Sequence, residues 1–119
     1  MARVTGIGGV FFKVADPAAT RAWYAEHLGF AAESYGCMFT AAADDVTVWN
    51  PFDAATDYFG PGDQRFMINF RVDDLDALLA ALAAKGIACV GTPLDETYGK
   101  FGWIVDCNGL KIELWKPKD

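Results

Sequence analysis

The sequence predicts an α+β fold built from two βαβββ modules. Three observations carry that expectation. A strand followed by an Asp-capped helix occurs twice, each helix is followed by a glycine, and each half ends in a strand that reaches Trp-x-Pro. A fixed spacing between self-similar segments is the signature of duplicated units, and Asp16 and Asp74 mark the two helix starts. The whole chain reads as a single domain over residues 1–119. Module one covers about 4–51, a linker about 52–65, and module two about 66–117.

Residues 7–14, Ile7-Gly8-Gly9-Val10-Phe11-Phe12-Lys13-Val14, are rich in β-branched and aromatic side chains and read as the first strand. In Asp16-Pro17 the aspartate can accept from the unpaired N–H groups of a helix start, and proline suits its first position. The helix runs through Trp23 and His27 to Gly29, a residue free to take the left-handed conformation that ends helices. Phe30 to Ala43 supplies a strand pair, and Val46 to Pro51 closes the half. In the second half, residues 66–72 form a strand and Asp73-Asp74 a cap. Leu75, Leu78, Leu79 and Leu82 fall on one helical face, and Gly86 follows. Strands are expected at Ala88–Val90, Phe101–Val105 and Ile112–Pro117, with Asp106-Cys107-Asn108-Gly109 as the turn between the last two. The linker carries Gly60-Pro61-Gly62.

Composition excludes several classes of function. Ten Lys and Arg against 16 Asp and Glu give a net charge of −6, which repels phosphate backbones and argues against nucleic acid. No run approaches the roughly 20 apolar residues of a membrane helix. The Met1-Ala2-Arg3-Val4 start lacks a signal-peptide layout. Cys37, Cys89 and Cys107 are odd in number and without paired spacing, as expected of reduced thiols in a cytoplasmic protein.

Several strings together resemble the vicinal oxygen chelate superfamily, the glyoxalase, bleomycin-resistance and dioxygenase-like proteins. They are Trp23-Tyr24 leading to Leu28-Gly29-Phe30, the Phe70-Arg71-Val72-Asp73-Asp74 junction, and the run from Tyr98 to Trp115 containing Asp106-Cys107-Asn108-Gly109 and Glu113. The family hairpin usually has proline where Cys107 stands. The resemblance implies that the modules curl into an open barrel around one cleft, and a homodimer is the expected assembly.

Metal-using relatives place a ligand on the first and last strand of each module. By position these would be Gly9, Thr47, Met67 and Glu113 here, and only Glu113 is a suitable donor. Neither a metal nor any other cofactor is therefore expected. His27 is the only histidine, which excludes a two-imidazole scheme, and its place in the last helical turn suits an exposed, structural residue. Ser34 has no nucleophile elbow around it.

Strand alternation puts Phe11 on the face of position 9, Trp49 with Thr47, Asn69 with Met67, and Trp115 and Lys111 with Glu113. The family hairpin also turns Trp103 inward, beside Phe101. The expected ligand-binding set is therefore Phe11, Thr47, Trp49, Met67, Asn69, Phe101, Trp103 and Glu113. Aromatic walls with a few polar groups describe both a small-molecule site and the core of a small sheet. Glu113 is the candidate catalytic residue, as general base or as a hydrogen-bond anchor. The alternative is a structural pairing with Lys111, Lys100 or Arg71. Three functions stay open: metal-independent binding of a small aromatic or hydrophobic molecule, a lyase, isomerase or dioxygenase with Glu113 as base or part of an unrecognised metal site drawing on Asp53, Asp57 or Gln64, and a dimeric module without ligand.

Overall fold

A computed structural model describes residues 1–118. Its regular elements are α1 (Pro17–Leu28), β1 (Asn69–Arg71), α2 (Leu75–Ala84), β2 (Leu94–Glu96), β3 (Gly99–Val105) and β4 (Lys111–Pro117). The fold is α+β, with a four-stranded sheet that does not close.

Both helices start and stop where the chemistry requires. Asp16 accepts from the Ala19 N–H at 3.0 Å and Asp74 from the Ala77 N–H at 3.0 Å. Pro17 occupies the first turn of α1, where its missing N–H costs nothing. Gly29 leaves α1 at φ 72°, donating its N–H to the Tyr24 carbonyl. This left-handed turn would strain a residue bearing a Cβ.

The second half folds as one βαβββ unit with strand order β1-β4-β3-β2. β1 runs parallel to β4, and the other pairs are antiparallel. Ile104, Ile112 and Leu114 point to one face, where Leu75 and Leu82 of α2 and Tyr24 of α1 complete the buried core. A Cβ at Gly102 would stand 3.1 Å from the Leu79 side chain, so the glycine lets α2 lie close against β3. Because alternate residues face opposite ways, Asn69, Arg71, Phe101, Trp103, Lys111, Glu113 and Trp115 share the other face. The pairings Trp103 with Glu113, Asn69 with Glu113, and Phe101 with Trp115 set them side by side.

Two departures from expectation concern strands. The strand expected at 88–90 forms later, at Leu94–Glu96. Gly91 turns the chain at φ 72°, and the tight register of Glu96 with Gly99 makes the segment beside that turn the one that pairs with β3. Val90 keeps one bond to β3, from its N–H to the Trp103 carbonyl at 2.7 Å. In the first half, residues 7–14, 30–43 and 46–51 form no ladder. A bridge between Glu33 and Gly36 is the only pairing there among the described residues. These segments have strand-like side chains but, among the described residues, no neighbouring strand to pair with, and strand propensity is expressed only on a surface that pairs and packs. The radius of gyration, 15.0 Å, exceeds the roughly 13.5 Å of a compact chain of this length, in keeping with segments that stand off the core.

A buried polar network joins α1 to the turn between β3 and β4. The Tyr24 hydroxyl donates to Asp106 Oδ2 at 2.5 Å, while Asp106 Oδ1 accepts from the N–H groups of Asn108 at 2.8 Å and Leu110 at 2.9 Å. Asn108 Nδ2 donates to Thr20 Oγ1, whose own proton goes to the Asp16 carbonyl. Burial first, and the Asp106 carboxylate second, push the Tyr24 phenol well above its ordinary pKa. His27 differs from expectation. Its side chain is largely covered, with its ring 4.9 Å from that of Trp23, because α1 turns that edge toward the packed aromatics.

Candidate functional site

Glu113 sits in the middle of β4 on the face away from the helices, and it is 8% exposed. A carboxylate so covered requires donors, and three neutral ones supply them. Asn69 Nδ2 donates to Oε1 at 2.7 Å, Trp103 Nε1 donates to Oε2 at 2.9 Å, and the Tyr58 hydroxyl donates to the same Oε2. Asn69 and Trp103 arrive by register, as the neighbours of Glu113 on β1 and β3. The two lysines and the arginine considered as partners are engaged elsewhere: Lys111 Nζ donates to the Tyr58 carbonyl. Lys100 pairs with Asp76 at 3.0 Å, and Arg71 reaches Asp45 and the Val46 carbonyl.

Tyr58 comes from the linker, which folds down onto this face. Its ring meets Trp103 edge to face at 6.0 Å, and Lys111 Nζ lies 5.3 Å from the Tyr58 centroid and 5.7 Å from that of Trp103. Such cation–π placements favour a positive charge over aromatic faces. Lys111 Nζ also donates to the Tyr58 carbonyl at 2.7 Å. Gln64 stitches the linker to β4: its Oε1 accepts from the Lys111 N–H at 2.9 Å and its Nε2 donates to the Lys111 carbonyl at 2.8 Å. The side-chain amide thus stands in for a neighbouring strand. Burial first, then the bond to Glu113, push the Tyr58 phenol well above its ordinary pKa. Further along the face, Phe101 stacks on Trp115 with centroids 6.1 Å apart and planes 8° from parallel, and Tyr98 packs edge-on against Phe101.

The eight residues of the expected set fall into three groups. Asn69, Trp103 and Glu113 are hydrogen-bonded together, and Phe101 shares their face. Met67 is half-buried just before β1 and makes no ladder contact. Phe11, 95% exposed, lines a separate hollow of about 410 Å³ between α1 and residues 30–38, while Thr47 and Trp49 (79% exposed) stand in solvent. Tyr58 and Gln64 complete the site from a segment read as a spacer; the aromatic pair Tyr58-Phe59 just ahead of Gly60 was the signal available.

The donors around Glu113 do not fit a divalent ion. Both carboxylate oxygens receive hydrogen bonds, and among the described residues no group of three His, Cys, Asp or Glu side chains converges. Of the linker residues considered, Gln64 is committed to the Lys111 backbone and Asp53 to the Ala55 N–H.

A family model described as Glyoxalase/Bleomycin resistance protein/Dioxygenase superfamily matches residues 6–114. The chain belongs to this superfamily. Solved structures with the same fold include TnmS3, an antibiotic binding protein from Streptomyces sp. CB03234, 23% identical over 99% of this chain and 100% of that one, with a TM-score of 0.61. A glyoxylase/bleomycin resistance protein/dioxygenase domain from Frankia sp. EAN1pec is 18% identical over 98% and 100%, with a TM-score of 0.60. An integron cassette protein from the mobile metagenome of V. cholerae is 15% identical over 98% of each chain, with a TM-score of 0.63. No curated protein matches the chain. At these identities the solved structures speak for the glyoxalase/bleomycin-resistance fold alone. No helix among the described residues is long and apolar enough to cross a membrane.

Proposed function

We propose that this superfamily member binds a small aromatic or hydrophobic molecule on the open face of its sheet, without a metal. The carrying observation is Glu113 held by Asn69 and Trp103 on a face walled by Phe101, Trp103 and Trp115. Apolar walls with a few convergent polar groups suit a small organic ligand, and the antibiotic-binding role named for TnmS3 supports the same reading. The test is calorimetric titration with planar aromatics of two to four fused rings, before and after chelator treatment. Saturable binding of at least one compound, unchanged by chelator and weakened about ten-fold or more in Trp103→Leu, is the expected result. Binding that vanishes with chelator, or that ignores Trp103, overturns the reading.

One observation favours a catalytic variant. Oε1 of Glu113 receives a single donor and so retains acceptor capacity toward a ligand proton. If Glu113 acts as a general base, turnover in Glu113→Gln falls by more than the change in ligand affinity explains. We further propose that the chain is one domain of two modules joined by the 52–65 linker and that it works as a homodimer in the cytoplasm. The exposed Phe11, Val48 and Trp49 and the three unpaired cysteines support this. Light scattering on the purified chain tests the assembly.

A further inference from the structure

Tyr58 is held as a ligand would be held. Its hydroxyl gives its proton to a buried carboxylate, its ring is met edge-on by Trp103, and a lysine ammonium lies over its face. Glu113, Trp103 and Lys111 all meet this one side chain, which belongs to the linker rather than to the sheet. Among the described residues, the covering segment's hydrogen bonds to the sheet are those of the Tyr58 hydroxyl, of its carbonyl with Lys111, and of Gln64. Phe52 packs on Tyr58 at 5.5 Å and on Phe59 at 5.1 Å, so the linker carries its own small aromatic cluster.

We infer that Tyr58 is a built-in competitor and that the site selects hydroxylated aromatic rings, whose phenol takes the place of the Tyr58 hydroxyl on Glu113. This deepens the proposed function and rests on that reading of the face. The chemistry is specific. A carboxylate held by Trp103 and Asn69 rewards a ligand O–H, whereas a ring without one leaves a buried acceptor oxygen short of a donor. A carboxylated ring would set like charges against each other. Ligand affinity is then reduced by the fraction of molecules in which Tyr58 occupies the site, and weakening Tyr58 raises it.

The experiment titrates 4-methylphenol and toluene into the full chain as wild type, Tyr58→Phe and Tyr58→Ala, by calorimetry and thermal melts. Tyr58→Phe keeps the ring and removes only the hydroxyl, so 4-methylphenol should bind it roughly ten-fold or more tighter than wild type. In Tyr58→Ala the phenol should bind tighter still and raise the melting temperature, with toluene at least ten-fold weaker. In wild type, saturating phenol should speed amide hydrogen exchange at residues 57–60. Equal binding of toluene and 4-methylphenol to Tyr58→Ala overturns the hydroxyl selectivity, and equal phenol affinity in wild type and Tyr58→Phe overturns the competition. Should Tyr58→Ala not fold, the Tyr58→Phe arm decides alone. Fused-ring aromatics that bind wild type and Tyr58→Phe alike would sink this inference while leaving the aromatic site intact, so the two readings fail separately.

Discussion

Removing one oxygen atom, in Tyr24→Phe, tests what holds the two halves of the chain together. Tyr24 is 5% exposed and Asp106 6%, so neither the lost donor nor the stranded acceptor gains water. A hydrogen bond to a charged group contributes about 1.5–3 kcal/mol. Asp106 Oδ1 keeps its two backbone donors, while Oδ2 loses the Tyr24 donor. The ring stays, so its packing against Phe30 and Phe70 is retained and no cavity term enters. A loss of about 2 kcal/mol is therefore expected. With an unfolding entropy of about 2.1 cal/mol/K per residue, a chain of 119 residues changes stability by about 0.25 kcal/mol per degree, so the melting temperature should fall by about 8 °C. Calorimetry on Tyr24→Phe, Asp106→Ala and the double variant checks it. The two single changes should couple by more than about 1 kcal/mol. A fall of less than about 2 °C, or additive single changes, would refute the view that this bond anchors α1.

Two further outcomes follow from the same interactions. The Tyr24 and Tyr58 phenols are both held above the ordinary tyrosine value of about 10, so their contribution is complete below that pH and is lost as pH rises beyond it. Denaturant midpoints should be flat from pH 7 to 9 and decline above 10, less steeply in Tyr58→Phe; an equal decline in that variant would contradict the assignment. At Gly99, φ is 143°, and an added Cβ would lie 2.6 Å from the Lys116 carbonyl oxygen and 2.4 Å from the Trp115 indole nitrogen. Gly99→Ala should cost about 2 kcal/mol or more in chemical unfolding, whereas Gly62→Ala, with no neighbour within 4 Å, carries only the strain of its positive φ.

The sequence disclosed the second half in detail and the first half in part. Local chemistry places the caps at Asp16 and Asp74 and the Leu75–Leu82 face, and these hold because each depends on residues within one or two turns. Period-two alternation gave Asn69 and Glu113 their faces and the resemblance to the family hairpin turned Trp103 inward; register across β1, β4 and β3 sets the three side by side. The strands expected at 7–14 and 46–51 failed to pair because propensity describes one segment and a ladder needs two. Phe11 and Trp49 consequently left the expected cleft. Tyr58 was missed for a related reason: the Tyr58-Phe59 pair marks an aromatic segment, but its role depends on a linker folding back over 55 residues to reach Glu113, and no local pattern encodes that return. Asp106 read as a turn former, which it is. That its second oxygen also receives Tyr24 could be known only once α1 was placed.

The Tyr24–Asp106 bond also sets an order of events during synthesis. Its partners are 82 residues apart, and the Asn108–Thr20 bond spans 88. At about 5–20 residues per second, α1 leaves the ribosome some 4–16 s before the turn that receives it exists. During that interval Trp23, Tyr24 and Phe30 have no sheet to lie on. The hairpin of β3 and β4, whose pairing is local, can close as soon as it emerges, and it then recruits a helix made long before. The β3–β4 hairpin, made well after α1, therefore decides whether that helix finds its place, and a nascent chain stalled before residue 106 presents its aromatics to whatever chaperone or neighbour is at hand.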